Sequence, residues 1–261
     1  MEIKFDKYQG AGNDFILLDN REGFFSDLTA SQRKALCDRY KGIGADGLIL
    51  IDHSAEVDFE MRYFNSDGNS STLCGNGGRC AVAFAYQKKI IGHETLFRAI
   101  DGHHKAQIVA PGVVRLEMQE VKSFTSLPEA VITDTGSPHY VKLVDDVSAI
   151  DVQKEGAAIR HSEPYAKRGI NVNFVQKKSD QHFVIRTYER GVENETLACG
   201  TGAVAAALVM HFLQETGGAT EVELEALGGV LKVSFEEAQQ TYHQIHLQGP
   251  ATFVFSGTIL L

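Results

Sequence analysis

Apolar and polar residues alternate along Ile3 to Tyr8, and a second apolar stretch, Phe15 to Leu18, follows after a short loop. Patterning of this kind over such short runs predicts two strands. In the loop, Gly10 and Gly12 flank Ala11 and imply a backbone bent close to another group. Asn13 is placed either to stabilise its own turn or to offer a donor and an acceptor to a ligand. Thr29 is set to cap an amphipathic helix through Arg39, with Ala35, Leu36 and Tyr40 on one face and Gly42 ending it. Gly47 to Ile51 predicts a short aliphatic strand.

The pattern then changes to an order of elements that occurs twice. Phe59 to Ala85 reads as a strand, a polar loop containing Asn65, Asp67, Gly68 and Asn69, and an alanine-bearing helix opened by Cys74-Gly75-Asn76-Gly77. A hairpin pattern follows, Thr95 to Val109, turning at Asp101-Gly102. Past Met118 a strand, a polar loop (Asp134 to His139) and another strand occupy Val131 to Val144. A strand start at Gly169 to Val175 comes next, with Asn171 and Asn173. Phe183 to Phe212 repeats strand, loop and helix, now opened by Cys199-Gly200-Thr201-Gly202, and Glu221 to Phe235 repeats the hairpin with its turn at Gly228-Gly229. A tight turn alone accounts for one C-G-x-G; two copies in matching surroundings argue for two halves, with the boundary near residue 120.

Each of these two cysteines therefore stands at the mouth of a helix. The first backbone N–H groups of a helix have no partner within it and carry the positive end of its dipole. That environment lowers a thiol pKa from about 8.5 to roughly 3.5–7.5 and also binds carboxylates. Cys37 and Cys80 lie inside helices and read as small core residues. Arg79 is placed to cap or pair, and nothing local makes it catalytic. His139 follows a proline in a polar turn, where an ordinary surface role is the commoner one.

Composition narrows the partners. The 261 residues carry a net charge of −9, with 43% hydrophobic and 23% charged residues. This argues for a soluble globular protein and against nucleic acid or an anionic membrane as partner. The N-terminus lacks a signal-peptide core, the longest apolar run is too short to span a bilayer, and the four scattered cysteines suit a reducing cytoplasm. No metal cluster, phosphate-binding loop or pyridoxal-phosphate lysine is indicated, so no cofactor is expected.

If the halves face each other across a cleft with both helices pointing inward, N–H groups around Gly75, Asn76, Gly200 and Thr201 would hold a small carboxylate. One thiolate would take its α-proton and the opposite thiol would return one to the other face, inverting the carbon. A positioned base supplies only ~10²–10⁴-fold, and each well-aimed donor ~10²–10³-fold, so the cradle carries the larger share. Two neighbouring thiols titrate as a coupled pair, which favours one thiolate and one thiol.

The stretches GAGNDF (Gly10 to Phe15), GIGADG (Gly42 to Gly47), FNSDG followed by LCGNGGRC, SPH, NVNF, and YERG followed by ETLACGTG resemble the diaminopimelate epimerase family over nearly the whole chain. The resemblance implies an α/β (α+β) fold of two pseudo-symmetric halves, each a mixed, mainly antiparallel sheet wrapped around a central helix, with the active site in the cleft between them. It implies halves of 1–120 and 121–250, with a last strand at about 251–261 returning to the first. It further implies cofactor-independent interconversion of LL- and meso-2,6-diaminopimelate for lysine and peptidoglycan precursor synthesis, and a homodimer. Cys74 and Cys199 would be the acid/base pair, with His139 and Glu189 tuning them. Asn13, Asn65, Gly75, Asn76, Asn173, Glu189, Arg190, Gly200 and Thr201 would contact the substrate, the arginine suiting a far carboxylate. Two departures stand out: Ser137, where many members have asparagine, and Gly47, where some have glutamine. Rival readings are a proline or hydroxyproline racemase, which typically has histidine where this chain has Asn76, a PhzF-like isomerase, which lacks one or both cysteines, and a thiol-switch binding protein.

Overall fold

The computed structural model describes residues 2–71 and 74–261; Leu73, the first letter of the LCGNGGRC motif, lies outside them. The chain divides into two compact units, one made of the chain up to Leu116 together with Gly249–Leu261, the other of Glu117–Gln248.

The first unit contains β1 (Glu2–Gly10), β2 (Asn13–Asp19), α1 (Ala30–Cys37), β3 (Gly47–Asp52), β4 (Phe59–Asn65), α2 (Gly75–Gln87), β5 (Glu94–Ala99), β6 (Gly102–Ala110) and β7 (Val113–Glu117). The second contains β8 (Phe124–Ser126), β9 (Val131–Asp134), β10 (Pro138–Leu143), a 3-10 turn (Val147–Ala149), α3 (Val152–Arg160), β11 (Asn171–Ser179), β12 (His182–Glu189), β13 (Asn194–Thr196), α4 (Gly200–Phe212), β14 (Glu221–Ala226), β15 (Gly229–Ala238) and β16 (Thr241–Pro250). The final strand, β17 (Thr252–Leu260), rejoins the first unit by pairing antiparallel with β1, Glu2 opposite Leu260.

Within the first unit β1 runs antiparallel to β2, β2 parallel to β3, β3 antiparallel to β4, β4 parallel to β5, and β5, β6 and β7 form an antiparallel meander. The second unit repeats this sequence of directions. There β9 is antiparallel to β10, β10 parallel to β11, β11 antiparallel to β12 and β12 parallel to β14, and the antiparallel run β14, β15, β16 follows. Each parallel step needs a crossover. In both units the crossovers supply a small outer helix, α1 or α3, and a central one, α2 or α4.

The central helices differ from surface helices in kind. Every residue of α4 from Gly200 to Met210 is buried except Thr201, and α2 is buried from Gly75 through Val82 and again at Phe84 and Ala85. A helix apolar on all sides is stable only when surrounded, and α4 touches β9, β10, β11, β12, β14 and β15. The alanine run is what lets strands approach it on every side. Outer layers are filled separately, by Leu28, Leu36 and Cys37 against Ile16, Leu18 and Leu48 in one unit and by Val152 with Val172, Phe174 and Tyr188 in the other.

Most patterned elements form as expected, including both hairpins, though their turns lie one residue earlier than expected, at Ile100-Asp101 and at Leu227-Gly228, with Gly102 and Gly229 already paired in the returning strands. Helix α1 is the exception. Thr29 caps it with a reciprocal bond to Gln32, but the helix stops at Cys37 rather than Arg39, and Tyr40 is 98% exposed instead of sharing the apolar face. The cause is Asp38, whose Oδ1 accepts from the backbone N–H of Tyr40 at 2.8 Å and of Lys41 at 2.9 Å, a local turn that competes with helix continuation. Burial pushes the Cys37 thiol up to about 12 and raises that of Cys80 further, so both are core residues as expected.

Gly47 opens β3 where a side chain has no room: a Cβ there would lie 2.5 Å from Tyr63 Cε2 and 2.7 Å from the Phe64 carbonyl oxygen. A glutamine at this position therefore requires β4 to shift. Gly47→Ala is expected to lower stability by about 1–3 kcal/mol, the range for overpacking a tight site. Urea unfolding measures it; an unchanged midpoint would show that β4 yields without cost.

Candidate active site

In the first unit Cys74 takes the N-cap position of α2 in extended backbone conformation (φ −90°, ψ 123°), and its side chain makes no capping bond. The half-buried sulfur lies 3.6 Å from Asn13 Oδ1. Asn13 begins β2 just after a tight turn in which Ala11 and Gly12 are both left-handed, at φ 52° and 83°, the geometry that closes a two-residue hairpin. The Asn13 amide is held from two sides. Its Nδ2 donates to Asp46 Oδ2 at 2.5 Å, and its Oδ1 accepts from Asn76 Nδ2 at 3.4 Å.

Both neighbours end on ions. Asp46 pairs with Arg39 at 2.6 Å, and Arg39 also pairs with Asp14 at 2.8 Å, which in turn meets buried Lys7 at 2.7 Å. Burial pushes Asp14 up, but the hydrogen bonds from Arg39 and Lys7 outweigh it and hold its carboxyl down at about 2. On the other side Asn76 Oδ1 accepts from Arg79 at 2.7 Å. Arg79 is 0% exposed and also donates to the Gly75 and Pro250 carbonyls, both at 3.3 Å. Asn65 ends β4 in an exposed position.

In the second unit Cys199 caps α4 in the same manner (φ −114°, ψ 114°), again without a side-chain capping bond. Its sulfur lies 3.5 Å from Thr201 Oγ1, and that hydroxyl lies 3.0 Å from His139 Nε2. His139 is not a surface residue in a turn. It belongs to β10, pairs with Asn171 across the parallel step and is 0% exposed, because alternation along β10 turns it inward beneath α4. Burial, with a smaller push from Arg190, lowers its pKa to about 3. Asn173 on β11 is equally buried, and its amide is occupied within the unit. Nδ2 reaches His139 Nδ1 and the Tyr140 carbonyl, both at 3.1 Å, and Oδ1 accepts from Thr187 Oγ1 at 2.9 Å.

Glu189 closes β12 half-buried and Arg190 follows it, exposed. Arg190 donates to Ser137 Oγ at 3.1 Å and to the Arg168 carbonyl at 3.0 Å, while its own N–H is bonded to Asn171 Oδ1 at 2.9 Å. Ser137 thus fills its departure from the expected asparagine by orienting the arginine, with Asn171 donating to the same hydroxyl at 2.9 Å.

The structure accordingly gathers Cys74, Gly75, Asn76 and Asn13 at one helix start and Cys199, Gly200, Thr201, His139 and Asn173 at the other. Asp46, Arg39, Arg79 and Thr187 belong to these clusters too; the sequence reading names Arg79 only as a capping or pairing residue and gives the other three no part in the site. Asp46 sits inside the GIGADG stretch and Arg79 inside LCGNGGRC, which are signals; Thr187 gives none. Among the described residues no group of three or more His, Cys, Asp or Glu side chains is arranged to hold a metal ion, and no helix is long and apolar enough to cross a membrane.

Two units with the same order of strand directions, each wrapped around a cysteine-capped helix, make up a fold that solved structures of low sequence identity share. The chain superposes with a TM-score of 0.77 on a PhzF-family phenazine biosynthesis protein from Bacillus anthracis, at 14% identity over 100% of both chains. With a TM-score of 0.68 it superposes on a hydroxyproline epimerase from Agrobacterium vitis, at 13% identity over 100% of this chain and 93% of the other. Sequence separates these relatives: the diaminopimelate epimerase family model matches residues 5–123 and 131–254, and the chain belongs to that family. It is 49% identical to the diaminopimelate epimerase of Flavobacterium psychrophilum, covering 98% of this chain and 100% of that one, and 45% identical to that of Chlorobaculum tepidum, covering 97% and 99%.

The depressed His139 pKa has a consequence for stability. An unfolded chain takes up a proton at this side chain near pH ~6.5, whereas the folded one does so only near about 3. The stability contributed by the neutral ring is therefore fully present above about pH 6.5 and is lost as pH falls toward about 3. Nitrogen-15 NMR of the imidazole is expected to show one neutral tautomer, protonated at Nε2, with no titration between pH 8 and 5. An imidazolium signal appearing in that interval would contradict the burial argument.

Proposed function

We propose that the chain interconverts LL- and meso-2,6-diaminopimelate by exchanging the α-hydrogen between Cys74 and Cys199, without a cofactor. The observation that carries this reading is the repeated placement of a half-exposed cysteine at the N-cap of each central helix, in a member of the diaminopimelate epimerase family. In the forward step one thiolate takes the α-proton and becomes a thiol, and the electron pair left on carbon spreads into the carboxylate. The opposite thiol then delivers its proton to the other face and becomes the thiolate. Negative charge growing on the carboxylate is what N–H groups at a helix start stabilise, here those of Gly75, Asn76, Gly200 and Thr201.

The remaining assignments are those that membership of the family implies. Asn13, Asn65 and Asn76 supply amide contacts to the substrate, and Arg190, pre-oriented by Ser137, takes the distal carboxylate, with Glu189 for the distal ammonium. Asn173 belongs to the same implied set; its amide, like that of Asn76, is buried and holds neighbouring side chains in place, here His139 and Thr187. Lysine and peptidoglycan precursor synthesis and a cytoplasmic setting follow from this substrate.

Proton NMR in deuterium oxide tests the activity. Reduced protein should wash out the α-hydrogen of LL-diaminopimelate and yield the meso isomer. Neither L-proline nor trans-4-hydroxy-L-proline should exchange. Cys74→Ala and Cys199→Ala are each expected to lose epimerisation by at least ~10³-fold, since each removes one of the two proton-transfer groups. Exchange of the proline compounds instead would keep the two thiols and change the substrate; no exchange with any of them by fully reduced protein would sink the reading and favour a thiol switch.

A homodimer is part of the same proposal. It is supported by β17, where Phe253, Val254 and Phe255 are 41%, 50% and 45% exposed in succession and Leu260 is 79% exposed. Runs of exposed apolar residues on a strand are what partner surfaces cover. Light scattering on the eluting protein should give twice the chain mass, and Phe255→Asp should shift it to one chain mass. A wild-type monomer at micromolar concentration would remove the dimer from the proposal.

A further inference from the structure

The turn that carries Arg190 is tied to the helix beside it through one carboxylate. Residues 190–193 join β12 to β13, with Glu189 opposite Asn194 at the strand ends and the Glu193 N–H bonded to the Glu189 carbonyl at 2.8 Å. Within this turn Gly191 and Glu193 are left-handed, at φ 89° and 56°. Glycine adopts that conformation without steric cost, whereas a residue with a side chain seldom does. Glu193 is held there against its backbone preference, and its side chain shows by what.

The half-buried Glu193 carboxylate collects donors from three sides. Oε1 accepts from the Gly191 N–H at 3.1 Å within the turn, and Nε and Nη2 of Arg160, the last residue of α3, both lie 3.2 Å from the same oxygen. Oε2 accepts from the Tyr188 hydroxyl at 3.2 Å and lies 3.3 Å from Nε2 of His161, the C-cap of that helix. Tyr188 is buried in the outer core of this unit, so the carboxylate joins a core side chain, a helix end and its own turn. Burial pushes Glu193 up, but the hydrogen bond from Gly191 and the charge of Arg160 outweigh it and hold the group below the usual carboxylate range. The C-terminal end of a helix repels an anion, and Arg160 is what makes the position tolerable.

A second observation connects this cluster to Arg190. Gly169, left-handed at φ 72°, lies against both arginines: a Cβ on it would stand 2.5 Å from Arg190 Cδ and 3.1 Å from Arg160 Cζ. The two cations therefore share one stretch of backbone, and they are treated differently. Arg160 is neutralised by Glu193. The Arg190 guanidinium meets neutral oxygens, the Ser137 hydroxyl and the Arg168 carbonyl, and among the described residues it forms no ion pair.

We propose that Glu193 is the positioning residue for Arg190: its carboxylate fastens the β12–β13 turn to the end of α3 and takes up the charge of Arg160, which leaves Arg190 as the cation the turn offers to a carboxylate at the far end of the substrate. Without that carboxylate the turn loses its ties to Tyr188 and Arg160, and Arg160 becomes a competing cation beside Arg190. The ligand of Arg190 rests on the diaminopimelate reading; the anchoring of the turn does not.

Two variants separate the carboxylate from the backbone. Glu193→Gly suits the left-handed conformation and removes the side chain, and Glu193→Gln keeps the side chain's shape and removes its charge. With LL-diaminopimelate each is expected to raise KM by ~10-fold or more while changing kcat by less than ~3-fold, the signature of a contact equally strong in the ground and transition states. A residue needed only for folding would not separate the two constants. The turn itself is read without turnover by trypsin, which cuts after Arg190 once the turn opens. Cleavage at Arg190–Gly191 under native conditions, followed by mass spectrometry, should be about 10-fold faster in Glu193→Gln than in the wild type, because proteolysis follows the open population and hydrogen bonds to a charged group are lost. An unmoved KM in both variants would overturn the proposal, as would a loss confined to kcat or equal cleavage rates. If cleavage follows expectation while the wild type exchanges no α-hydrogen of diaminopimelate, the anchoring role stands and the substrate reading falls.

Discussion

A helix cannot satisfy its own first N–H groups, and the structure is arranged around two places where that deficit is put to use. Both units hold the helix behind that start rigidly by enclosing it in strands. The enclosing sheet needs parallel steps and therefore crossovers, and the crossovers supply the helices. The alanine-rich, all-round apolar character of α4 is thus what lets strands close around the helix that Cys199 caps. A cysteine is the residue that suits such a position: small enough for an N-cap, making no capping bond of its own, and titrating in the range that a helix start favours.

What distinguishes the two sites is how each enforces geometry. The first unit anchors its amides on ions, Arg79 at one end and Asp46 with Arg39 at the other. The second uses neutral groups throughout, from the Thr187 hydroxyl to the Thr201 hydroxyl, and keeps its histidine uncharged by enclosing it. Amide side chains flip readily in principle; here each is clamped by one partner that can only donate or only accept. The duplicated fold therefore carries two unlike solutions to the same positioning problem.

Much of this was legible in the chain. Strand periodicity, both hairpin turns and both cysteine-headed helices follow from local pattern, because period and turn chemistry act over a few residues. Helix α1 was read two residues too long and Tyr40 was misplaced, since the Asp38 turn competes with the helix through a side chain that pattern counting treats as merely polar. His139 looked like a surface residue because its neighbours are glycine, serine and proline; its burial comes from strand β10 pairing with β11, a long-range fact. The same holds for Thr187, whose partner Asn173 lies on the neighbouring strand, whereas Arg79 reaches Asn76 and Gly75 at the helical spacings of three and four residues and only its bond to Pro250 is long-range.

The pairing of β17 with β1 also bears on how the protein is made. The second unit is a single continuous stretch, Glu117–Gln248, and its last residue leaves the ribosome before the final strand does. The first unit begins the chain and yet is completed only by residues 252–260, which seat Leu260 against Glu2. Synthesis therefore delivers the later unit ready to fold while the earlier one still waits with an open sheet edge, a non-local closure of the kind that slows folding and favours chaperone contact. The part of the chain translated first is the part that finishes last.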